Sequence, residues 1–183
     1  MQIGFYFDQT RCIGCFTCVV ACKDAHDLAQ GSGSWRRVTE IESGKFPGVS
    51  VAFLSSSCYH CMHPVCISVC ASGAIYKRET DGIVVVNTEK CLGKDDCGLC
   101  REACPYEAPQ LGAEEKAKME KCDLCLDRLL AGKSPICVAA CRTRALDAGP
   151  MDELRSKYGR ENEATGMVYS LKIEPSIIFK PKN

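Results

Sequence analysis

Apolar residues along this chain come in short bursts rather than in long periodic runs. Bursts rich in β-branched and aromatic residues at Ile3–Phe7, Val49–Leu54, Ala74–Lys77 and Ile83–Val86 predict short strands. The last two flank Glu79-Thr80-Asp81-Gly82, a hairpin signal because Asp-Gly tolerates positive φ. Apolar spacing predicts helical turns over Phe16–Leu28, Pro64–Val69, Leu99–Ala103, Cys122–Ala131 and Pro135–Ala140. Met151–Tyr158 reads as a further short helix, opened by Pro150 and closed by Gly159. Residues 29–48, with Gly, Ser and one Pro, read as a loop excursion, and Glu114–Lys121 as a mixed-charge, solvated helical face. Met167–Asn183 reads as an extended arm. Within it Ser170–Lys182, apolar with a basic tip, is expected to dock a partner in preference to forming a plain edge strand. No stretch approaches about 18 apolar residues, so no segment is expected to span a membrane.

Such small elements bury little apolar area, and composition names a substitute. Sixteen of the 183 residues are cysteine, about 9 %, a density that calls for a special cross-linking chemistry. The N-terminus, Met1-Gln2-Ile3-Gly4-Phe5-Tyr6-Phe7-Asp8, lacks the basic start, apolar core and small-residue cleavage site of a secretory signal. The chain is therefore expected to be made and loaded in a reducing, cytoplasmic compartment, where cysteine-rich patterns mean metal more often than disulfides. Charge is balanced, 23 basic against 23 acidic side chains, without the basic excess of a nucleic-acid binder.

The cysteines form four groups of four. They are Cys12, Cys15, Cys18, Cys22; Cys58, Cys61, Cys66, Cys70; Cys91, Cys97, Cys100, Cys104; and Cys122, Cys125, Cys137, Cys141. Each group ends with a cysteine and another four residues later, an internal repeat with variable inserts. Group one is the C-x2-C-x2-C-x3-C run of bacterial ferredoxins, whose fourth cysteine serves the other cluster of a pair. Three thiolates on a tight loop wrap one corner of a cubane. The fourth lies a helical turn, roughly 5.4 Å, further along. Structural zinc and a disulfide scaffold are the competing readings. Zinc prefers closed sites of paired C-x2-C knuckles, and disulfides require export. If iron–sulfur clusters are held, their binding is folding free energy and the apo chain is expected to be largely unfolded.

At these residues the chain resembles the iron–sulfur subunit of the dimethyl-sulfoxide-reductase superfamily, the electron-transfer partner of molybdenum or tungsten enzymes. The resemblance is carried by Gly4-Phe5-Tyr6-Phe7-Asp8 with Arg11-Cys12-Ile13-Gly14-Cys15, by Ala21-Cys22-Lys23-Asp24 and by Ser34-Trp35-Arg36-Arg37-Val38. It continues through Ala103-Cys104-Pro105-Tyr106-Glu107-Ala108-Pro109-Gln110, Lys121-Cys122-Asp123-Leu124-Cys125 and the stretch from Pro135-Ile136-Cys137 to Leu154. It implies an α+β fold of two ferredoxin-like modules, the second inserted within the first. The outer module would span 1–56 and 119–150, the inserted one 57–118, with a C-terminal helix and arm over 151–183. It implies four [4Fe–4S] clusters. Their ligands would be Cys12, Cys15, Cys18 and Cys141; Cys22, Cys122, Cys125 and Cys137; Cys58, Cys61, Cys66 and Cys104; and Cys70, Cys91, Cys97 and Cys100. It implies no catalytic residues, a molybdopterin-containing catalytic partner near the first cluster, and a membrane anchor subunit or external donor near the fourth. The chain would then sit at the membrane periphery within a complex. A stand-alone polyferredoxin and a zinc-bound interaction module are the alternatives. Apolar patches at both ends of the cluster file favour the complex, and a fully charged surface the carrier.

Two features depart from the family pattern. Leu92-Gly93-Lys94-Asp95-Asp96 separates Cys91 from Cys97 where two residues are usual. A [3Fe–4S] form occurs in relatives lacking cysteine at the second group-three position, which Cys97 fills here. Only Cys104, of the four group-final cysteines, precedes proline; Arg142 follows Cys141 and would either place positive charge near the first clusters or be solvated. His26, His60 and His63 are assigned to packing or hydrogen bonding rather than ligation, and Trp35 and Tyr106 to the core. Arg36 and Arg37 are read as docking a partner or facing water. Gly31-Ser32-Gly33 lacks the context of a dinucleotide site.

Overall fold

The computed structural model describes residues 1–29 and 33–182. Residues 30–32, within the expected loop and the glycine-serine stretch, and Asn183 lie outside the described residues. The first strand, β1 (Ile3–Asp8), leads to helix α1 (Thr17–Ala25), and an antiparallel hairpin of β2 (Arg37–Ser43) and β3 (Ser50–Ser56) follows. Next come α2 (Val65–Ser68), the hairpin β4 (Ile75–Lys77) and β5 (Val84–Val86), α3 (Leu99–Ala103), and a minimal pair, β6 (Gln110–Leu111) with β7 (Met119–Glu120). The polypeptide continues through α4 (Leu126–Leu130), α5 (Ile136–Ala139), β8 (Leu146–Pro150), α6 (Met151–Tyr158) and β9 (Ile177–Lys180). No helix among the described residues is long and apolar enough to cross a membrane.

One three-stranded sheet, ordered β8-β1-β9, organises the molecule. β1 runs antiparallel to β8 and parallel to β9. Successive side chains of a strand face opposite ways, and β1 uses both faces. Phe5 and Phe7, fully buried, join Phe179 and the main core that also contains Cys58, Cys122 and Cys137. Tyr6 faces the other side, packing with Met151, Leu154 and Ile178, its ring stacked on Tyr158 at 3.6 Å. α6 thus caps one face and the cysteine-bearing segments fill the other. Gly4 permits this layering, because a Cβ there would collide with the Ser176 carbonyl and the Met151 sulfur. At the end of β1 the buried Gln9 amide is saturated. Its Nε2 donates to the carbonyls of Phe53 (3.2 Å) and Thr165 (2.9 Å), and its Oε1 accepts from the Thr165 and Lys182 amides.

The four expected strands and the Asp-Gly hairpin are present, Gly82 at φ 70°. Several expectations are overturned. The loop excursion holds β2, zipped to β3 from Arg37–Ser56 to Ser43–Ser50; Val38, Thr39 and Ile41 favour a strand, a signal diluted by flanking Gly and Pro. Glu114–Lys121 is not helical. It ends in β7, and burial alternates with period two, Ala117, Met119 and Lys121 inside and Lys118 and Glu120 outside. The helix expected from Cys122 starts only at Leu126, because Leu124 and Cys125 take positive φ of 63° and 49°. α1 is likewise bounded by Phe16 and Asp27 at positive φ. Within the C-terminal arm Ile177–Lys180 is an edge strand of the central sheet, with Ile177, Ile178 and Phe179 buried within this chain, while Val168 and Leu171 remain exposed.

Because Phe179 is a core residue, Phe179→Ala should cost about 3–5 kcal/mol. On heating the anaerobic protein, bleaching of its visible absorbance should move to markedly lower temperature. An unchanged midpoint would mean that the arm docks elsewhere.

Candidate iron–sulfur centres

The cysteine-bearing segments are mostly loops and short helices, α2 to α5 being four or five residues each. In group one the loop before α1 turns through Gly14 (φ 66°) and Phe16 (φ 59°). A Cβ at Gly14 would strike the Phe53 ring, so this loop is seated directly on β3. Cys18 and Cys22 project from α1, which packs against α5, the helix bearing Cys137. Burial raises the Cys12 thiol pKa, the Gly14 amide opposes the shift, and the neighbouring sulfurs of Cys18, Cys141 and Cys15 add to it. Burial also pushes Cys22 up to about 12, with Arg36 opposing and Cys137 and Cys125 contributing. Cys122, wholly buried, is driven well above the ordinary thiol value by burial, with Cys137 beside it.

The other eight cysteines lie around α2 and α3, which pack together. Cys58, Cys61, Cys66 and Cys104 line one small cavity with Tyr106, Pro109 and Lys121. Cys70, Cys91, Cys97 and Cys100 line a second with Leu111 and Met119. Each of these two cavities thus brings together four sulfurs drawn from two of the sequence groups. Other sulfurs are electrostatic neighbours as well: Cys18 of Cys137, Cys122 of Cys58, and Cys66 of Cys100.

The donor chemistry fits anionic sulfur. None of the sixteen thiols is in a disulfide. Backbone amides donate to Cys141 (Ala145, 3.2 Å), Cys122 (Leu124, 3.4 Å), Cys125 (Ile136, 3.5 Å) and Cys91 (Met119, 3.5 Å). Hydroxyls two residues on lie beside Cys15 (Thr17, 3.4 Å), Cys70 (Ser72, 3.7 Å) and Cys141 (Thr143, 3.7 Å). This Cys-x-Ser/Thr recurrence is visible in the sequence, although at Cys66-Ile67-Ser68 the hydroxyl donates to the Val65 carbonyl instead. The Thr17 hydroxyl lowers the Cys15 thiol pKa below its ordinary value. N–H and O–H groups aimed at sulfur stabilise the charged form and tune the potential of a bound cluster.

Comparison with known proteins fixes the family. A family model described as a 4Fe–4S dicluster domain matches residues 49–151, more than half of the sequence. The B subunit of anaerobic dimethyl sulfoxide reductase from Escherichia coli (strain K12) is 46 % identical over 188 residues, covering 98 % of this chain and 89 % of its own length. This chain belongs to the iron–sulfur subunit family of the dimethyl-sulfoxide-reductase superfamily. The B subunit of the same reductase from Haemophilus influenzae (strain ATCC 51907 / DSM 11121 / KW20 / Rd) is 43 % identical over 98 % of this chain and 89 % of its own length. Protein NrfC of Escherichia coli (strain K12) is 37 % identical over 87 % of this chain and 70 % of its own. As a member of this iron–sulfur subunit family, the protein is an electron-transfer subunit with [4Fe–4S] clusters, and the substrate chemistry belongs to another subunit.

The family's polar residues fall out differently from the sequence expectations. Arg36 neither docks a partner nor faces water. It is buried, its two terminal nitrogens donating to the Ser55 and Ser57 hydroxyls at 3.0 Å each, its guanidinium 4.8 Å above the Phe5 ring. Arg37 donates to the Tyr106 and Glu107 carbonyls at 2.8 Å, which pins β2 to the segment after Cys104. His26 Nε2 lies 3.3 Å from Cys125 Sγ and 4.0 Å from an Asp123 oxygen; these three residues form a compact ligand-type cluster. Its ring packs on Trp35 at 4.5 Å. His60 is fully buried, Nδ1 accepting from the Val84 amide at 3.0 Å, while His63 is exposed and lies 3.8 Å from Glu174. Arg142 is exposed, close enough to Cys15 to favour its thiolate.

Burial holds the thiols of Cys22 and Cys66 at about 12 and those of Cys100 and Cys125 at about 11. Whether in the folded form or in the unfolded apo chain, where a thiol titrates at about 8.5, each carries a proton at pH 7 that must be released on binding iron. Cluster loading is therefore favoured by rising pH. Anaerobic reconstitution with ferrous iron and sulfide should give a higher yield at pH 8.5 than at pH 7, read as iron bound per chain. A yield that falls over this interval would contradict the assignment of these thiols as ligands.

Proposed function

We propose that this protein is a wire for single electrons, carrying four [4Fe–4S] clusters between a molybdopterin catalytic subunit and a membrane quinol-linked subunit or soluble carrier. The ligand sets are Cys12, Cys15, Cys18 and Cys141 for the first cluster, and Cys22, Cys122, Cys125 and Cys137 for the second. Cys58, Cys61, Cys66 and Cys104 hold the third, and Cys70, Cys91, Cys97 and Cys100 the fourth. The observations that support this reading are the two four-cysteine cavities and the electrostatic neighbours Cys18–Cys137, Cys122–Cys58 and Cys66–Cys100, which would link the four proposed sets one to the next. The interleaving matches two ferredoxin-like modules with residues 57–118 inserted in an outer one, since sets one and two draw on groups one and four only.

Both ends of the file bear exposed apolar side chains. Ile13, Phe16 and Val20 are exposed close in sequence to Cys15, the one exposed cysteine of the sixteen, as Leu92 and Leu99 are on either side of Cys97. Apolar exposure at both termini suits a subunit clamped between partners better than a freely diffusing carrier. The first cluster faces the catalytic subunit and the fourth the membrane anchor or donor. Loading takes place in the cytoplasm, and the protein works at the membrane periphery within the complex.

The test is metal and sulfide analysis of anaerobically purified protein, with EPR after dithionite reduction. About sixteen irons per chain are expected. About fifteen irons, with a signal already present before reduction, would mean a [3Fe–4S] centre in the fourth set. Zinc without iron would sink the reading. Ligand pairing is checked separately: Cys22→Ser and Cys125→Ser should abolish the same EPR component, and Cys12→Ser and Cys141→Ser a different one. Loss of one component by Cys12→Ser and Cys22→Ser together would break the interleaved assignment.

A further inference from the structure

Two cations are buried where no surface role is open to them. Arg36 is 2 % exposed and Lys121 4 % exposed, and among the described residues neither makes an ion pair with a carboxylate. Burying an unpaired charge is costly unless a counter-charge lies close by. Their hydrogen bonds are to neutral groups: Ser55 and Ser57 hydroxyls for Arg36, the Val84 and Cys122 carbonyls for Lys121. The negative charge they face is sulfur. The Ser55 hydroxyl that accepts from Arg36 lies 3.7 Å from Cys18 Sγ, and Cys22, Cys122 and Cys137 surround the same guanidinium. Lys121 precedes Cys122 in the sequence, yet its side chain lines the cavity of Cys58, Cys61, Cys66 and Cys104.

We propose that Arg36 and Lys121 are electrostatic spacers in the file of clusters, Arg36 standing between the first and second and Lys121 between the second and third. This rests on the ligand sets proposed above. Neighbouring clusters are anions, and adding an electron to one makes adding an electron to the next harder. A fixed positive charge between them offsets that repulsion on both sides and raises both potentials. Arginine suits the first position, being planar, permanently charged and able to hold two hydroxyls at once. These are positioning and tuning residues and touch no substrate. A merely structural role, in which Arg36 ties β2 to β3 through Ser55 and Ser57, predicts that shape matters and charge does not.

The experiment is an EPR-monitored redox titration of the full chain, purified anaerobically with its co-purifying subunits, for wild type, Arg36→Met, Arg36→Lys, Lys121→Met and Lys121→Arg. Iron per chain is measured on each. The neutral variants should weaken reduction of the two adjoining clusters at least tenfold, about 59 mV lower for a one-electron couple. The fourth cluster should stay put, and the charge-keeping variants should remain near wild type. Fully loaded neutral variants with unchanged potentials would overturn the proposal. If a neutral variant fails to load iron, its charge-keeping counterpart decides: loading at the wild-type potential supports the spacer, and failure to load overturns it in favour of shape. A wild-type protein with fewer than four clusters, or with other ligand sets, would instead overturn the underlying assignment.

Discussion

Negative charge must be kept inside a small protein, and almost every other feature of this molecule follows from that requirement. Sulfur occupies the place that aliphatic side chains take in an ordinary core. Cys58, Cys122 and Cys137 are packed against Phe5, Phe7 and Phe179. In water-poor surroundings thiolate charge is unfavourable, which is why burial drives the thiol pKa of Cys122 so far up. The protein offsets this with amide N–H donors at Cys91, Cys122, Cys125 and Cys141, hydroxyls beside Cys15, Cys70 and Cys141, and two cations drawn inside. The overall neutrality of the sequence conceals this internal arrangement, because the cations that matter are not on the surface.

What the sequence reveals and what it hides divide along the range of the interactions. Cysteine spacing is a local property, and the quartets, the ferredoxin-like run and the hairpin at Asp81-Gly82 are all legible from neighbouring residues. The short helix Met151–Tyr158 is bracketed correctly by Pro150 and Gly159 for the same reason. The arm is not legible this way. Ile177–Lys180 looks like unpartnered sticky chain until β1, nearly the whole sequence away, supplies its parallel neighbour. Arg36 misleads in the same manner: a dibasic Arg36-Arg37 looks solvated, and only the pairing of β2 with β3 brings the Ser55 and Ser57 hydroxyls to it. For Glu114–Lys121 a signal is present, the period-two alternation ending at Lys121, but a string of charges outweighs it.

The sets of sulfurs are stitched from distant segments, and this shapes how stability and function are shared. The proposed set of Cys22, Cys122, Cys125 and Cys137 would bridge α1 to α4 and α5. The set of Cys58, Cys61, Cys66 and Cys104 bridges the loop after β3 to the end of α3. Holding a cluster, each such set would crosslink segments that hydrogen bonding alone holds weakly, since α2, α3, α4 and α5 are four or five residues long and isolated helices of that length are not stable. The same groups that would carry electrons therefore also tie the fold together.

The placement of β9 has a consequence for biosynthesis. Its strand is translated after all sixteen cysteines, and it supplies the second neighbour of β1, the strand whose phenylalanines close over the sulfur-lined core. The amide of Lys182 then locks onto Gln9. A ribosome delivering this polypeptide thus exposes every ligand before the sheet can be completed. The sheet that closes over the sulfur-lined core can therefore be completed only after the last cysteine has been made.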